Sequence, residues 1–180
     1  MAGDHIKVWD PLVRLFHWSV VGCVATAWFT AENFRSTHEW AGYAVVGLVA
    51  VRGVWGFVGS RYARFSQFVR NPTAVFDYGK DAIAGTAPRY IGHNPAGGWM
   101  VVALLSLLLA LGVTGWMMTL DAFFGNDSIQ GTHELLANGL LLLIAIHVSG
   151  ALATGWKHGE NLVRAMITGT KRRPDVSDIG

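Results

Sequence analysis

The chain has 180 residues, one domain's worth of sequence, and 52% apolar against 14% charged residues is too apolar for an ordinary soluble domain. The formal net charge is only +2, and no Lys/Arg-rich stretch with interleaved aromatics is present, so a nucleic-acid surface is excluded. Cys23 is the one cysteine, which excludes an intrachain disulfide and a four-thiolate metal site; without C-x-x-C-H, covalent c-type heme attachment is excluded as well.

The N-terminus lacks a short apolar core followed by a small-residue cleavage site, so its first apolar run is expected to stay as a membrane span. Four stretches approach the roughly 20 residues that cross about 30 Å of hydrocarbon: 12–31, 38–58, 98–120 and 132–156. Asp10-Pro11 supplies an N-cap and a first-turn proline for the first, and Ser36/Thr37 with Glu39 repeats that logic for the second. The third follows Asn94-Pro95-Ala96-Gly97-Gly98 and the fourth follows Gly125-Asn126-Asp127-Ser128, both turn chemistry. Many of the eight tryptophans lie near the ends of these runs, where an indole sits between headgroups and hydrocarbon.

Short loops rich in Lys and Arg stay cytoplasmic. Lys7 and Arg14 lie before or at the first span, Arg61, Arg64, Arg70, Lys80 and Arg89 in the 59–97 connection, and Lys157, Arg164, Lys171, Arg172 and Arg173 in the 157–180 tail. The opposite side has Arg35 alone, beside Glu32, Asp121, Asp127 and Glu134. The expected fold class is therefore an all-α membrane protein: a single domain over 1–180, a four-transmembrane-helix bundle with both termini cytoplasmic. Within the 59–97 connection, Asn71-Pro72 followed by Val75, Phe76, Tyr78, Ala82 and Ile83 predicts an amphipathic helix on the inner surface. Residues 174–180 are expected to be disordered.

Ionisable side chains inside spans are costly and need a partner or a task. Four of the seven histidines, His17, His38, His133 and His147, fall in or at the ends of the spans. His133 and His147 are fourteen residues apart, which at about 100° and 1.5 Å per residue puts both on one face, roughly 21 Å apart. His17, near the inner end of the first span, matches the depth of His147; His38, at the outer start of the second, matches His133. Two level-matched imidazole pairs predict two non-covalent b-type hemes, each with a six-coordinate low-spin iron suited to electron transfer. Met117 and Met118 read as packing residues, since the histidine pairing is already complete. His5 and His93 lie outside the spans, and His158 falls at or beyond the inner interface.

A porphyrin needs flat space beside a helix, and Gly42, one turn after His38, supplies it. Arg52 is on the same stripe at the inner depth and is expected to meet a heme propionate. Arg14, one turn before His17, is expected to do the same, with snorkelling to headgroups as the alternative.

These residues together resemble the prokaryotic di-heme cytochrome b family: the cytochrome b561 type, with the cytochrome b subunits of nickel–iron hydrogenase and formate dehydrogenase, and stand-alone relatives. The resemblance covers nearly the whole chain. It is carried by Arg14-x-x-His17-Trp18, His38-x-x-x-Gly42, Arg52-x-x-Trp55-Gly56-Phe57-x-Gly59-Ser60-Arg61-Tyr62, His93-Asn94-Pro95-Ala96-Gly97, and His133 with His147. His158-x-Glu160-Asn161-Leu162 is similar to the stand-alone members.

The resemblance implies a protein of the prokaryotic inner membrane in which the hemes link a quinone, ubiquinone or menaquinone, to a periplasmic donor or acceptor. Asn94 and the neighbourhood of His147 would line the quinone site, although Asn94-Pro95 is equally a turn that opens the third span. The mildly acidic outer loops leave room for a basic partner such as a c-type cytochrome. A stand-alone oxidoreductase acting on a small species such as superoxide, with quinone as co-substrate, is the alternative. A heme-free metal or proton transporter is a third reading.

Overall fold

A computed structural model describes residues 5–180; residues 1–4 of the expected single domain lie outside the described residues. In chain order the elements are β1 (His5–Lys7), α1 (Pro11–Thr30), α2 (Arg35–Val58), a 3-10 turn at Arg61–Ala63, α3 (Phe65–Phe68), α4 (Pro72–Ile83) and α5 (Pro95–Met117). A second 3-10 turn at Asp121–Phe123, then α6 (Asp127–Lys157), α7 (Leu162–Thr168) and β2 (Thr170–Arg172), complete the chain.

Helices α1, α2, α5 and α6 are long and apolar enough to cross a membrane. Little of their surface is buried by the protein itself, and large side chains such as Phe29, Leu142 and Leu152 are exposed. A helix that is apolar all round has hydrocarbon as its solvent. The four expected spans are thus present, with shifted ends. Helix α2 begins at Arg35 because Arg35 pairs with Glu39 at 2.7 Å, so Ser36 and Thr37 lie inside its first turn and are not its cap. Helix α5 begins at Pro95, with the Gly97 amide donating to Asn94 Oδ1 at 2.7 Å. Helix α6 begins at Asp127 because Asn126 Oδ1 accepts from the Ser128 and Ile129 amides, both at 3.1 Å. The polar stretch expected as a turn becomes a capped first turn, with Asp127 at the positive end of the helix.

The chain divides into two compact units. The span unit comprises Leu15–Gly53 and Ala103–Ala145. Its core is Val45 and Val49 of α2, Leu108 of α5 and Leu140 of α6, flanked by Val20, Cys23 and Val24 of α1. Helices α2 and α5 meet closely at Gly112, where an added Cβ would stand 2.2 Å from Val46 Cγ2.

The terminal unit comprises the chain up to Arg14, Val54–Val102 and Ile146–Gly180. Asp10 organises its first corner. One carboxylate oxygen accepts from the Val13 amide at 2.9 Å and caps α1; the other accepts from Trp55 Nε1 at 3.1 Å and Ser60 Oγ at 2.5 Å. Burial pushes this carboxyl upward, but the hydrogen bonds from Ser60, Val13 and Trp55 outweigh it and hold it below its ordinary value. Val8, Trp9, Val13, Ala63, Ile91 and Ala165 form the apolar core of the unit. Phe68 and Ile91 are its fully buried large side chains, each contributing about 1.5–3 kcal/mol.

The amphipathic helix expected in the 59–97 connection is α4, capped by Asn71 Oδ1 accepting from the Ala74 amide at 2.8 Å. Phe76 and Ile83 are exposed, and Lys80 lies over the Phe76 ring. The rest of the connection is more built than a surface helix requires, since Ala87, Arg89 and Ile91 are all buried.

Residues 174–180 depart from the expected disorder. The Ile91 amide donates to the Ile179 carbonyl and the Ile179 amide to the Arg89 carbonyl, both at 2.9 Å, and Asp178 pairs with Arg89. Just before this segment β2 pairs antiparallel with β1, His5 opposite Arg172. Gly169 makes that return possible: its φ of 83° ends α7 in the left-handed region, and a Cβ there would meet the Trp9 carbonyl oxygen at 2.7 Å.

Candidate functional site

Within the span unit, His38 of α2 and His133 of α6 face each other with ring centroids 6.1 Å apart and planes at 71°. His38 Nδ1 lies 2.8 Å from the Ala27 carbonyl oxygen. Ala27 stands in the last turn of α1, where carbonyls have no backbone partner within their own helix; its oxygen also accepts a long contact from Thr30 Oγ1 at 3.4 Å. A carbonyl only accepts, so the His38 proton sits on Nδ1 and the lone pair on Nε2.

His133 reaches the same state by another route. Its Nδ1 is 2.8 Å from Thr114 Oγ1, and that hydroxyl contacts the Ala110 carbonyl at 2.9 Å and the Leu111 carbonyl at 3.1 Å. With the single hydroxyl hydrogen on the nearer Ala110 carbonyl, the oxygen is open to accept from the imidazole. Gly115 gives the ring room: a Cβ there would be 3.3 Å from His133 Cε1.

Two imidazoles bound through Nε2 at about 2 Å to one metal have centroids about 6 Å apart, and the observed 6.1 Å fits that span. The donor set therefore suits a bis-imidazole metal group. Beside it, Gly42 has open space where a Cβ would point, as a flat macrocycle requires.

His17 lies half-buried on α1 in the span unit, its ring edge-to-face with Trp18 at 5.0 Å. His147 lies half-buried on α6 in the terminal unit, so the two partners expected for the inner pair belong to different units. Arg52 of α2 is 3% exposed, a cation held inside a span. Arg14 is committed at one nitrogen, donating from Nη1 to the Ile167 carbonyl at 2.6 Å.

Asn94 caps α5 with its oxygen and donates from Nδ2 to Tyr78 Oη at 2.8 Å. Burial pushes the Tyr78 phenol up, against a hydrogen bond from Thr154. Asn94, Tyr78 and Thr154 thus form one polar cluster in the terminal unit.

The remaining histidines sit elsewhere. His93 packs between Trp9 at 4.8 Å and Phe68 at 4.6 Å. His158 is held below its ordinary pKa by burial and by the charges of Lys157 and Arg89. His5 is in β1.

Sequence reasoning found the two facing histidines and missed what orients them. Thr114-Gly115 lies in a predominantly apolar stretch of α5, a signal available in the residues. The Ala27 carbonyl carries no signal at all, because a backbone acceptor looks the same at every position.

Four apolar spans, with imidazoles of two of them opposed, define a multi-pass membrane protein. The model of the prokaryotic cytochrome b561 family matches residues 8–169, and the chain belongs to that family. It is accordingly a membrane cytochrome b, with b-type heme serving transmembrane electron transfer. No curated protein sequence matches the chain.

Proposed function

We propose that the chain carries electrons across the prokaryotic inner membrane through two b-type hemes, one held by His38 and His133 and the other by His17 and His147. Bound there, each heme supplies a one-electron iron couple that changes state with little rearrangement. The observation that carries the reading is the opposed pair, with centroids at 6.1 Å and each Nδ1 in a hydrogen bond. Support for the second pair comes from α6 itself, on which His147 follows His133 by fourteen residues in one unbroken helix.

Arg52, buried within a span, suits a propionate of the heme at His17 and His147. Arg14 is proposed as a second propionate contact through its guanidinium nitrogens other than the one bound to Ile167. Both termini are placed in the cytoplasm on the Lys/Arg distribution.

Quinone, ubiquinone or menaquinone, is proposed to exchange electrons on the cytoplasmic side. The Asn94, Tyr78 and Thr154 cluster offers an amide and two hydroxyls that suit quinone carbonyls and could exchange protons with them. A periplasmic redox protein, such as a c-type cytochrome with a basic face, completes the circuit at the acidic outer loops. The alternative reaction on superoxide calls for a basic funnel near His38 and His133, whereas the Arg35 guanidinium is engaged by Glu39 at 2.7 Å.

Pyridine hemochrome analysis of the purified chain tests the proposal, with two hemes per chain expected. His133→Ala is expected to leave one heme, with the bis-histidine spectrum of the other intact. A colourless protein, or one heme in the unaltered chain, overturns it.

A further inference from the structure

We propose that Thr114 is a positioning residue that sets the donor strength of His133 toward iron, and through it the midpoint potential of the heme held by His38 and His133. This rests on the heme assignment above.

The two rings are oriented by unequal acceptors. His38 Nδ1 meets a backbone carbonyl, that of Ala27, which no substitution removes. His133 Nδ1 meets a side-chain hydroxyl at 2.8 Å, with the Leu111 backbone carbonyl as a further hydrogen-bond partner of the ring. Thr114 has no structural need of the ring: its hydrogen is already satisfied four residues back by the Ala110 carbonyl at 2.9 Å, as is usual for a threonine inside an apolar helix. The contact is extra, and its consequence falls on the imidazole. Branching at Cβ restricts the rotamer of Thr114, and the absent side chain at Gly115 allows the ring to settle against α5.

A hydrogen bond donated from Nδ1 pushes electron density toward Nε2, makes the ring a stronger donor and favours the ferric state. Removing the hydroxyl leaves the Leu111 carbonyl as the remaining acceptor and weakens donation, so the potential of that one heme rises. Thr114→Val removes the hydroxyl and keeps the branched shape; Thr114→Ser keeps the hydroxyl.

The experiment is a spectroscopically monitored redox titration of the purified, heme-loaded protein and the two variants, with heme stoichiometry measured alongside. In Thr114→Val one component is expected to shift to higher potential while the other stays in place and both hemes remain. In Thr114→Ser the shift is expected to be largely reversed. Loss of one heme in Thr114→Val with its retention in Thr114→Ser also sustains the role, since the hydroxyl is what the two variants differ by. Unmoved potentials with both hemes bound, an equal shift of both components, or equal heme loss in both variants overturn it. Failure of the underlying assignment has its own signature, because His133→Ala would then keep two hemes.

Discussion

The Arg89 guanidinium and the Asp178 carboxylate, 89 residues apart in sequence and each 4% exposed, form an ion pair in the terminal unit. Arg89 also holds Glu160 at 2.5 Å and donates to the Arg172 carbonyl at 2.9 Å, while Lys171 stands 3.8 Å from Glu160. One buried guanidinium thereby ties the 84–94 stretch to the chain after α6 and to the C-terminal segment. Its positive charge is matched by two carboxylates, so none of the three stands alone.

Breaking a buried ion pair by removing one partner costs about 3–5 kcal/mol, because the other charge is left without compensation. Arg89→Met is therefore expected to destabilise the terminal unit by that order. Limited proteolysis is expected to cleave within 170–180 in the variant and not in the parent, with the far-ultraviolet helix signal of the spans unchanged.

Acid is expected to open the same latch. Burial raises the carboxyls of Glu160 and Asp178, but hydrogen bonds and the charges of Arg89 and Lys171 outweigh it and hold both below their ordinary values. A depressed folded-state pKa contributes stability that is fully present above the unfolded value, about 4, and is lost as pH falls through the folded value. Protection factors of the Ile91 and Ile179 amides are expected to be high at pH 7 and to fall below about pH 4, the dependence being much reduced in Arg89→Met.

Gly112 of α5 packs against Val46 of α2. A methyl group there would overlap Val46 Cγ2 at 2.2 Å, and forcing one into a packed helix pair costs about 1–3 kcal/mol. Gly112→Ala is expected to lower the thermal midpoint in detergent. Val46→Ala is expected to restore part of it, with a measurable coupling in the double-mutant cycle.

Gly42 offers the converse case, since nothing stands where its Cβ would be. Gly42→Leu is expected to leave the apoprotein's thermal midpoint little changed and to fill the space assigned to a heme beside His38. On the proposed two-heme assignment, heme content is then expected to fall by one per chain. Retention of both would place the macrocycle away from this glycine.

Gly169 combines a φ of 83° with a 2.7 Å approach to the Trp9 carbonyl. Gly169→Ala is expected to cost at least about 1–2 kcal/mol from the left-handed backbone alone, more once the contact is added. Circular dichroism on thermal unfolding checks it, with Gly85→Ala as the reference: its φ of 76° has open space around it.

Much of the architecture was legible because spanning a membrane is a local property. About 20 consecutive apolar residues need no partner to declare themselves, and α1, α2, α5 and α6 appear where hydropathy expected them. Their ends moved by a few residues because caps such as Asn126 and the Arg35–Glu39 pair compete with turn chemistry written in the same residue types. The amphipathic α4 was legible from Asn71-Pro72 and its apolar face. The β1–β2 pair and the ordered C-terminal segment were not, since three-residue strands and a terminal aspartate carry no periodic signal.

What the residues alone determined is the set of spans, the membership of a cytochrome family, and the two histidines fourteen positions apart on one helix, all of them consequences of order along the chain. Folding decided how the rings of His38 and His133 are held, because that choice belongs to partners on neighbouring helices, the Ala27 carbonyl and the Thr114 hydroxyl. It likewise decided that a tail expected to be loose is held by Arg89. A hydrogen bond or an ion pair selects its partner by proximity in space, and proximity between positions 89 and 178, or 114 and 133, exists only after the helices have packed.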